Sequence, residues 1–350
     1  MRKTLARILG IVMAAVMIST SAYGTESSDT ISSGSEHPDF LNTEEWDVRG
    51  SVTPNAETGG LTYIPPIDVL VEASVQSENG LIVSPGYDPY NEGDDEISTQ
   101  AIIGSDDRTK VYNPNSEKRF RSTVYINVNL PNGMMTRATG FMIGPNAVAT
   151  SGHVLCNYGF GKNGEWAWAE SVDITPAYNT GTVPKPYGTV TANKYSFECG
   201  WGWAKNCDTN YDWGIITLSS NIGNQTGFWD VGYSNFNLWN GTSVLLNGYP
   251  KYIYEGEGPT RKEIFTTDQY LSTGTIGYTD EHFCYSYNLD ASGGNSGGPC
   301  YIWTENLGYV AMGILQGGST EWDSPNAYTT ILYFDSTIYN KFLSYRTSTL

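Results

Sequence analysis

Apolar and polar residues alternate between positions 124 and 130. Val124, Ile126, Val128 and Leu130 are separated by Tyr125, Asn127 and Asn129, the two-residue period of a half-buried strand. Pro131-Asn132-Gly133 reads as a turn and a new apolar run starts at Met134, so the segment predicts a β-hairpin. Short strand-like runs recur at 141–143, 147–150, 214–218, 243–246 and 310–315, separated by Gly- and Asn-rich turns. Near the end, Ile338, Tyr339, Phe342 and Leu343 adopt helical spacing behind an N-cap candidate, Asp335 or Ser336. The 250 residues from 101 to 350 are long enough for two packed β-barrels with one terminal helix over about 335–346.

The N-terminal quarter follows a different pattern. Arg2, Lys3 and Arg7 precede an apolar run at 8–18, and small residues follow at 19–24. That order predicts a signal peptide over 1–24, cleaved before Thr25. The run is too short to span a bilayer, so an exported protein with no membrane anchor is expected.

Dividing the charge locates a second boundary. Residues 25–100 carry 16 Asp and Glu against one basic residue, Arg49. The rest of the net charge of −18 is spread thinly after position 100. The acidic segment predicts a separate propeptide: poorly ordered over 25–60, with apolar runs over 61–83 that could dock on a surface. A Pro- and Gly-punctuated linker follows over 84–100. No basic stripe points to nucleic acid.

Five cysteines, Cys156, Cys199, Cys207, Cys284 and Cys300, all follow position 150. Export implies some disulfide bonds, with Cys199–Cys207 and Cys284–Cys300 as the expected pairs, and an odd cysteine left over. No zinc-like spacing is present, so no metal is expected.

Three polar residues carry the chemistry. Ser296 lies in Gly293-Gly294-Asn295-Ser296-Gly297-Gly298-Pro299, where four glycines permit unusual dihedrals and close approach of a substrate backbone. The amides of Gly294 and Ser296 can converge there on an oxyanion. His153 follows the apolar run 141–148 among small residues, placed as a general base. Asp212 precedes the buried strand 214–218, where a carboxylate is costly unless bonded, and a histidine ring would satisfy it. Asp208 is the alternative carboxylate, and His282 the competing histidine. The order His, Asp, Ser, with gaps of 59 and 84 residues, is that of the chymotrypsin arrangement. It places His and Asp in a first barrel, about 101–220, and Ser in a second, about 225–334. A catalytically silent binding protein and a carbohydrate-binding adhesin, suggested by the many Tyr and Trp residues, are the competing classes.

These motifs resemble the bacterial glutamyl endopeptidases, a branch of the chymotrypsin-like serine peptidases. The matching stretches are Ile103-Gly104-Ser105-Asp106-Asp107-Arg108, Thr139-Gly140-Phe141-Met142-Ile143-Gly144-Pro145 and Val148-Ala149-Thr150-Ser151-Gly152-His153. Asn210-Tyr211-Asp212-Trp213-Gly214, Asn247-Gly248-Tyr249-Pro250 and the Ser296 loop complete the set. The resemblance implies two antiparallel six-stranded barrels, a propeptide removed before Ala101 that acts as an intramolecular inhibitor, and a secreted, monomeric enzyme that acts on protein or peptide substrates without a catalytic cofactor. It also places the pocket for the residue before the scissile bond: Asp290 at its base, Ala291 beside it and Leu315 on the facing strand. Family members read glutamate there with a Thr and a His at the places held by Ala291 and Leu315. Val154 and Ala138 stand where some members have a disulfide, and Asn295 stands where many relatives have an Asp. The expected preference is therefore Lys or Arg, with glutamate as the alternative.

Overall fold

A computed structural model of the chain describes residues 46–67, 75–76, 81–84, 106–234, 239–256, 262–318 and 327–346. The signal segment 1–24, the linker 85–100 and Ala101 lie outside the described residues. Three N-terminal strands are described with their side chains: β1 (Ser51–Pro54), β2 (Leu61–Ile64) and β3 (Ile82–Ser84).

The first barrel is built from β4 (Thr123–Asn129), β5 (Met135–Gly144), β6 (Ala147–Thr150), β7 (Ser171–Pro176), β8 (Val190–Asn193), β9 (Phe197–Gly200) and β10 (Gly214–Thr217). Neighbours run β8-β7-β4-β5-β6-β10-β9. A single 3-10 turn, Lys194–Ser196, separates β8 from β9, so the two are halves of one bent strand. Its first half pairs with β7 and its second with β10, which brings the ends of the path together as six strands. The predicted alternation holds: Val124, Ile126 and Val128 are fully buried while the residues between them are partly exposed. Each such apolar side chain contributes about 1.5–3 kcal/mol by leaving water. The turn closes with Gly133 at φ 82° and Leu130 N bonded to Met134 O at 3.0 Å.

The second barrel comprises β11 (Asp230–Tyr233), β12 (Ser243–Gly248), β13 (Tyr270–Thr279), β14 (Phe283–Ser286), β15 (Pro299–Thr304), β16 (Gly308–Gly318) and β17 (Thr329–Tyr333). Six of these close a ring, β15-β12-β13-β14-β17-β16, through the pairing of β15 with β16. β11 lies outside the ring and runs parallel to β16. A third apolar cluster joins the barrels, with Phe141 and Trp213 from the first, Val231 and Ile314 from the second, and Ile338 and Phe342 from the terminal helix. That helix spans Ser336–Ser344, and the Asp335 side chain accepts from Ile338 N at 2.8 Å, as the N-cap reading expects. Among the described residues no helix is long and apolar enough to cross a membrane.

Two expectations are corrected. Residues 46–60 are not poorly ordered: β1 pairs with β9, and β2 folds back on β1. A polar stretch gains its order here from a distant edge strand, which composition cannot reveal. The cysteines are all thiols, and neither expected disulfide pair is present. Cys199 faces Cys156 instead, with the sulfurs 3.4 Å apart, because β9 turns its side chain inward while Cys207 lies beyond the helix Trp201–Asn206. Cys284 and Cys300 sit on β14 and β15, three strands apart around the ring, and both are buried in the same core as free thiols.

Candidate active site

His153 follows β6 directly, in the four-residue helix Gly152–Leu155. Ser151 keeps an extended backbone, which turns the chain from strand into helix at the barrel rim. Gly152 has to lack a side chain, since a Cβ there would lie 2.9 Å from the Trp203 ring and 3.1 Å from Asp212 Oδ1. The imidazole is 7 % exposed, and the Trp203 ring packs edge-on at 6.0 Å.

Asp212 ends the 3-10 turn Thr209–Tyr211 immediately before β10 and is completely buried. Both carboxylate oxygens are satisfied by one residue. Oδ1 accepts from His153 N at 2.7 Å, and Oδ2 meets His153 Nδ1 at 2.7 Å. This double grip meets the cost of burying a carboxylate and fixes the ring's orientation. Asp208, the alternative, is used locally: its side chain accepts from Asn210 N at 3.1 Å as the cap of the same turn. The His282 amide donates to Asp280 Oδ1 at 2.9 Å, and its ring lies 6.3 Å from that of Tyr211.

Ser296 is partly exposed on the loop 293–298. Its carbonyl accepts from Thr139 N at 2.9 Å, which pins the loop to β5. Gly297, at φ 83°, lies so close to Thr139 and Thr150 that any side chain would collide with them. The loop is thus held against the end of β6, from which His153 projects. Leu315 adds a second tie, for its carbonyl accepts both Gly297 N at 2.9 Å and Ser151 Oγ at 3.0 Å. Gly294 has φ 95°, open to glycine, and its carbonyl accepts from Thr139 Oγ1 at 2.8 Å. Among the described residues neither the Gly294 nor the Ser296 amide donates to a backbone carbonyl, whereas the Asn295 amide between them goes to Ser292 O at 3.0 Å.

The expected pocket residues fall into two groups. Leu315 is 2 % exposed within the second-barrel core, and Ala291 packs against the same cluster. Asp290 is partly buried, and its Oδ2 accepts from the Asp107 amide at 3.1 Å. Burial, followed by the Asp290 charge, pushes the Asp107 carboxyl up to about 7.

Sequence reasoning missed an ion pair beneath this loop. Arg108 meets Asp106 at 2.7 Å, with side chains 2 % and 7 % exposed. Arg108 Nη1 also donates to Ser292 Oγ at 2.8 Å, and Nη2 to Tyr252 O at 3.0 Å. Burial opposes ionisation of Asp106, but the bonds from Arg108 and the Tyr254 amide hold its carboxyl below the usual range. Asn295 completes the arrangement by accepting from Ser292 N at 3.0 Å. The only signal in the sequence was the family-like stretch ending at Arg108, which marks a place but not a role.

Comparison with known proteins places this geometry in a family. The trypsin family model matches residues 111–340. Among curated proteins, the glutamyl endopeptidase of Bacillus licheniformis is 34% identical over 218 residues, 62% of this chain and 58% of that protein. The extracellular metalloprotease of Bacillus subtilis is 29% identical over 230 residues, 65% of this chain and 66% of that protein. The chain therefore spans less than two thirds of the length of either relative. A solved structure of a Glu endopeptidase in complex with MPD has the same fold, at a TM-score of 0.54 and 22% identity, covering 70% of this chain and 99% of that one. With the family model spanning both barrels and the terminal helix, the chain belongs to the trypsin family.

Proposed function

We propose that the chain is a secreted serine endopeptidase, made as an inactive precursor, in which His153, Asp212 and Ser296 form the catalytic triad. The observation that carries this reading is the double bond of Asp212 to the ring and amide of His153, at the rim against which the Ser296 loop is pinned. His153 takes the Ser296 hydroxyl proton as the oxygen attacks the scissile carbonyl. The Gly294 and Ser296 amides receive the developing oxyanion, a contribution of about 3–4 kcal/mol per donor in such sites. His153 then returns the proton to the leaving amine, and water hydrolyses the acyl-enzyme by the same route in reverse. Asp212 holds the ring tautomer and balances the imidazolium charge.

Cleavage near Gln100–Ala101 activates the precursor in this reading. The chain just beyond that point packs on the pocket loop through Asp107 and Arg108, so the cut releases backbone beside the substrate site. The primary preference is for Lys or Arg, because Ala291 offers glutamate no positive partner and the Asp290 carboxyl beside it on the same loop favours a cation. Glutamate preference is the second reading, favoured by the 34% identity to a glutamyl endopeptidase. A fluorophosphonate probe tests the core of the proposal: it labels Ser296 in the cut protein, and an unlabelled Ser296 would overturn the reading.

A further inference from the structure

The N-terminal segment completes both barrels at edges that the domain leaves open. β1 lies on β9 with Val52 opposite Cys199, and the Trp201 amide extends the ladder to Gly50 O at 2.9 Å. β3 lies on β11 with Val83 opposite Gly232. Val52 and Val83 are fully buried, the first against Cys156, Cys199 and Trp201, the second in the core of the second barrel.

Polar contacts add direction to this packing. The Arg346 guanidinium donates to Ser84 O at 2.8 Å and to Ser84 Oγ at 2.7 Å. Asn340, on the terminal helix, donates to Ile67 O at 3.0 Å. Ser51 Oγ donates to Glu198, a buried carboxylate that also takes the Lys341 ammonium at 2.9 Å. Charged side chains of the domain are thus partnered by hydroxyl and carbonyl groups of the segment, as in an interface between two chains.

Active-site residues take no part in it. Among the described residues, none of 46–84 makes a hydrogen bond to His153, Asp212 or the stretch 290–298. The link to the site is indirect: Trp201, which β1 covers, and Trp203, which touches His153, belong to one cluster. A segment held this way has no reason to leave when a bond near residue 101 is cut, since every contact described joins residues well before that bond to residues well after it and none depends on the bond itself.

We infer that the severed segment stays bound after activation, so that the working enzyme is a two-chain complex with β1 and β3 as edge strands on β9 and β11. The inference rests on the precursor reading above. The test uses the full precursor carrying Ser296→Ala and the recognition sequence of a site-specific protease within 88–95. After complete cutting, the fragment is expected to co-elute with the domain on gel filtration at about 1 µM, a concentration that a submicromolar Kd withstands. It should separate only in denaturant. A fragment that elutes alone from the cut native protein overturns the inference. Val52→Asp with Val83→Asp is expected to weaken retention at least tenfold, and unchanged retention would also overturn it. Should that variant not fold, dilution of the cut complex with a labelled fragment measures the same Kd directly. Retention is read on inactive protein, so its failure leaves the precursor reading intact. Failure of that reading would show separately, as full activity in uncut protein.

Discussion

The Asp107 amide donates to the Asp290 carboxylate at 3.1 Å, which sets two carboxyl groups together on the approach to Ser296. Asp107 Oδ1 is buried without a hydrogen-bond partner among the described residues. Burial and the Asp290 charge raise the Asp107 carboxyl to about 7. The folded state therefore keeps a proton between about pH 4 and 7 that the unfolded chain releases, and stability falls as pH rises through that window. Asp107→Asn should leave Tm unchanged near pH 4 and raise it above pH 7. Solvent screening limits the gain to about 1 kcal/mol, roughly 2–4 °C. Thermal melts across that range check it, and equal melting of both proteins at pH 8 would count against the shared proton.

Substitution of the proposed triad separates chemistry from folding. Ser296→Ala removes only a hydroxyl from a partly exposed site, so the melting temperature should hold while kcat falls by roughly a millionfold. His153→Ala should be about as damaging. Asp212→Asn should cost about ten-thousandfold, because the amide favours the wrong imidazole tautomer. Near-normal turnover of a peptide substrate by Ser296→Ala would remove the assignment.

The specificity proposed above rests on Asp290. Matched peptides differing only in Lys, Arg, Leu, Phe or Glu before the scissile bond should rank Lys and Arg first, by at least tenfold in kcat/KM. That ratio corresponds to about 1.4 kcal/mol of differential transition-state binding. Asp290→Ala should erase the advantage without lowering the rate on Leu. A tenfold lead for glutamate would instead identify the second reading as correct.

The parts of this molecule that sequence revealed are those built from local pattern. Val124 to Leu130 alternate because one face of β4 lines the barrel, and the glycines around Ser296 mark a loop that must pack without side chains. Asp335 was legible as a cap because capping is a matter of neighbours three residues apart. The ordered strand at Ser51–Pro54 was not, since its hydrogen-bond partners come from β9, nearly 150 residues away. The Arg108 contact to Ser292 spans 184 residues and joins two stretches with no shared pattern. Cysteine pairing failed for the same reason, as the sulfur that faces Cys199 belongs to Cys156, 43 residues away, and not to its near neighbour Cys207.

Arg108 and Asp106 form a buried pair that supports the loop ahead of Ser296. Removing one partner strands the other charge, so Arg108→Met should destabilise by about 3–5 kcal/mol. Removing both should cost less than the sum of the single changes, because no buried charge is then left uncompensated. The positioning role predicts more. Arg108→Met should lower kcat on a small ester substrate even well below its melting temperature, and Arg108→Lys should recover only part of it, lacking the planar fork. A double-mutant cycle in urea, run beside the ester assay, measures both. Additive energies with unchanged kcat would reduce the pair to a surface-like contact.

The five thiols give a test that needs no substrate. Cys156, Cys199, Cys284 and Cys300 are buried, and burial raises the thiols of Cys156, Cys284 and Cys300 above the ordinary range. Cys207 is half-buried, at the left-handed residue that ends the helix Trp201–Asn206, and burial with the Asp212 charge pushes its thiol up to about 11. Thiolate is the reactive form, so a disulfide reagent at neutral pH should find almost none in the native protein. Cys207 should react first and slowly, roughly tenfold faster per pH unit as the medium becomes alkaline, until its own pKa is reached. In denaturant all five cysteines should titrate. A count of three would mean that Cys156 and Cys199, with sulfurs 3.4 Å apart, had oxidised to a disulfide. Rapid loss of one equivalent from the native protein at pH 7 would contradict the buried, proton-retaining environment described for Cys207.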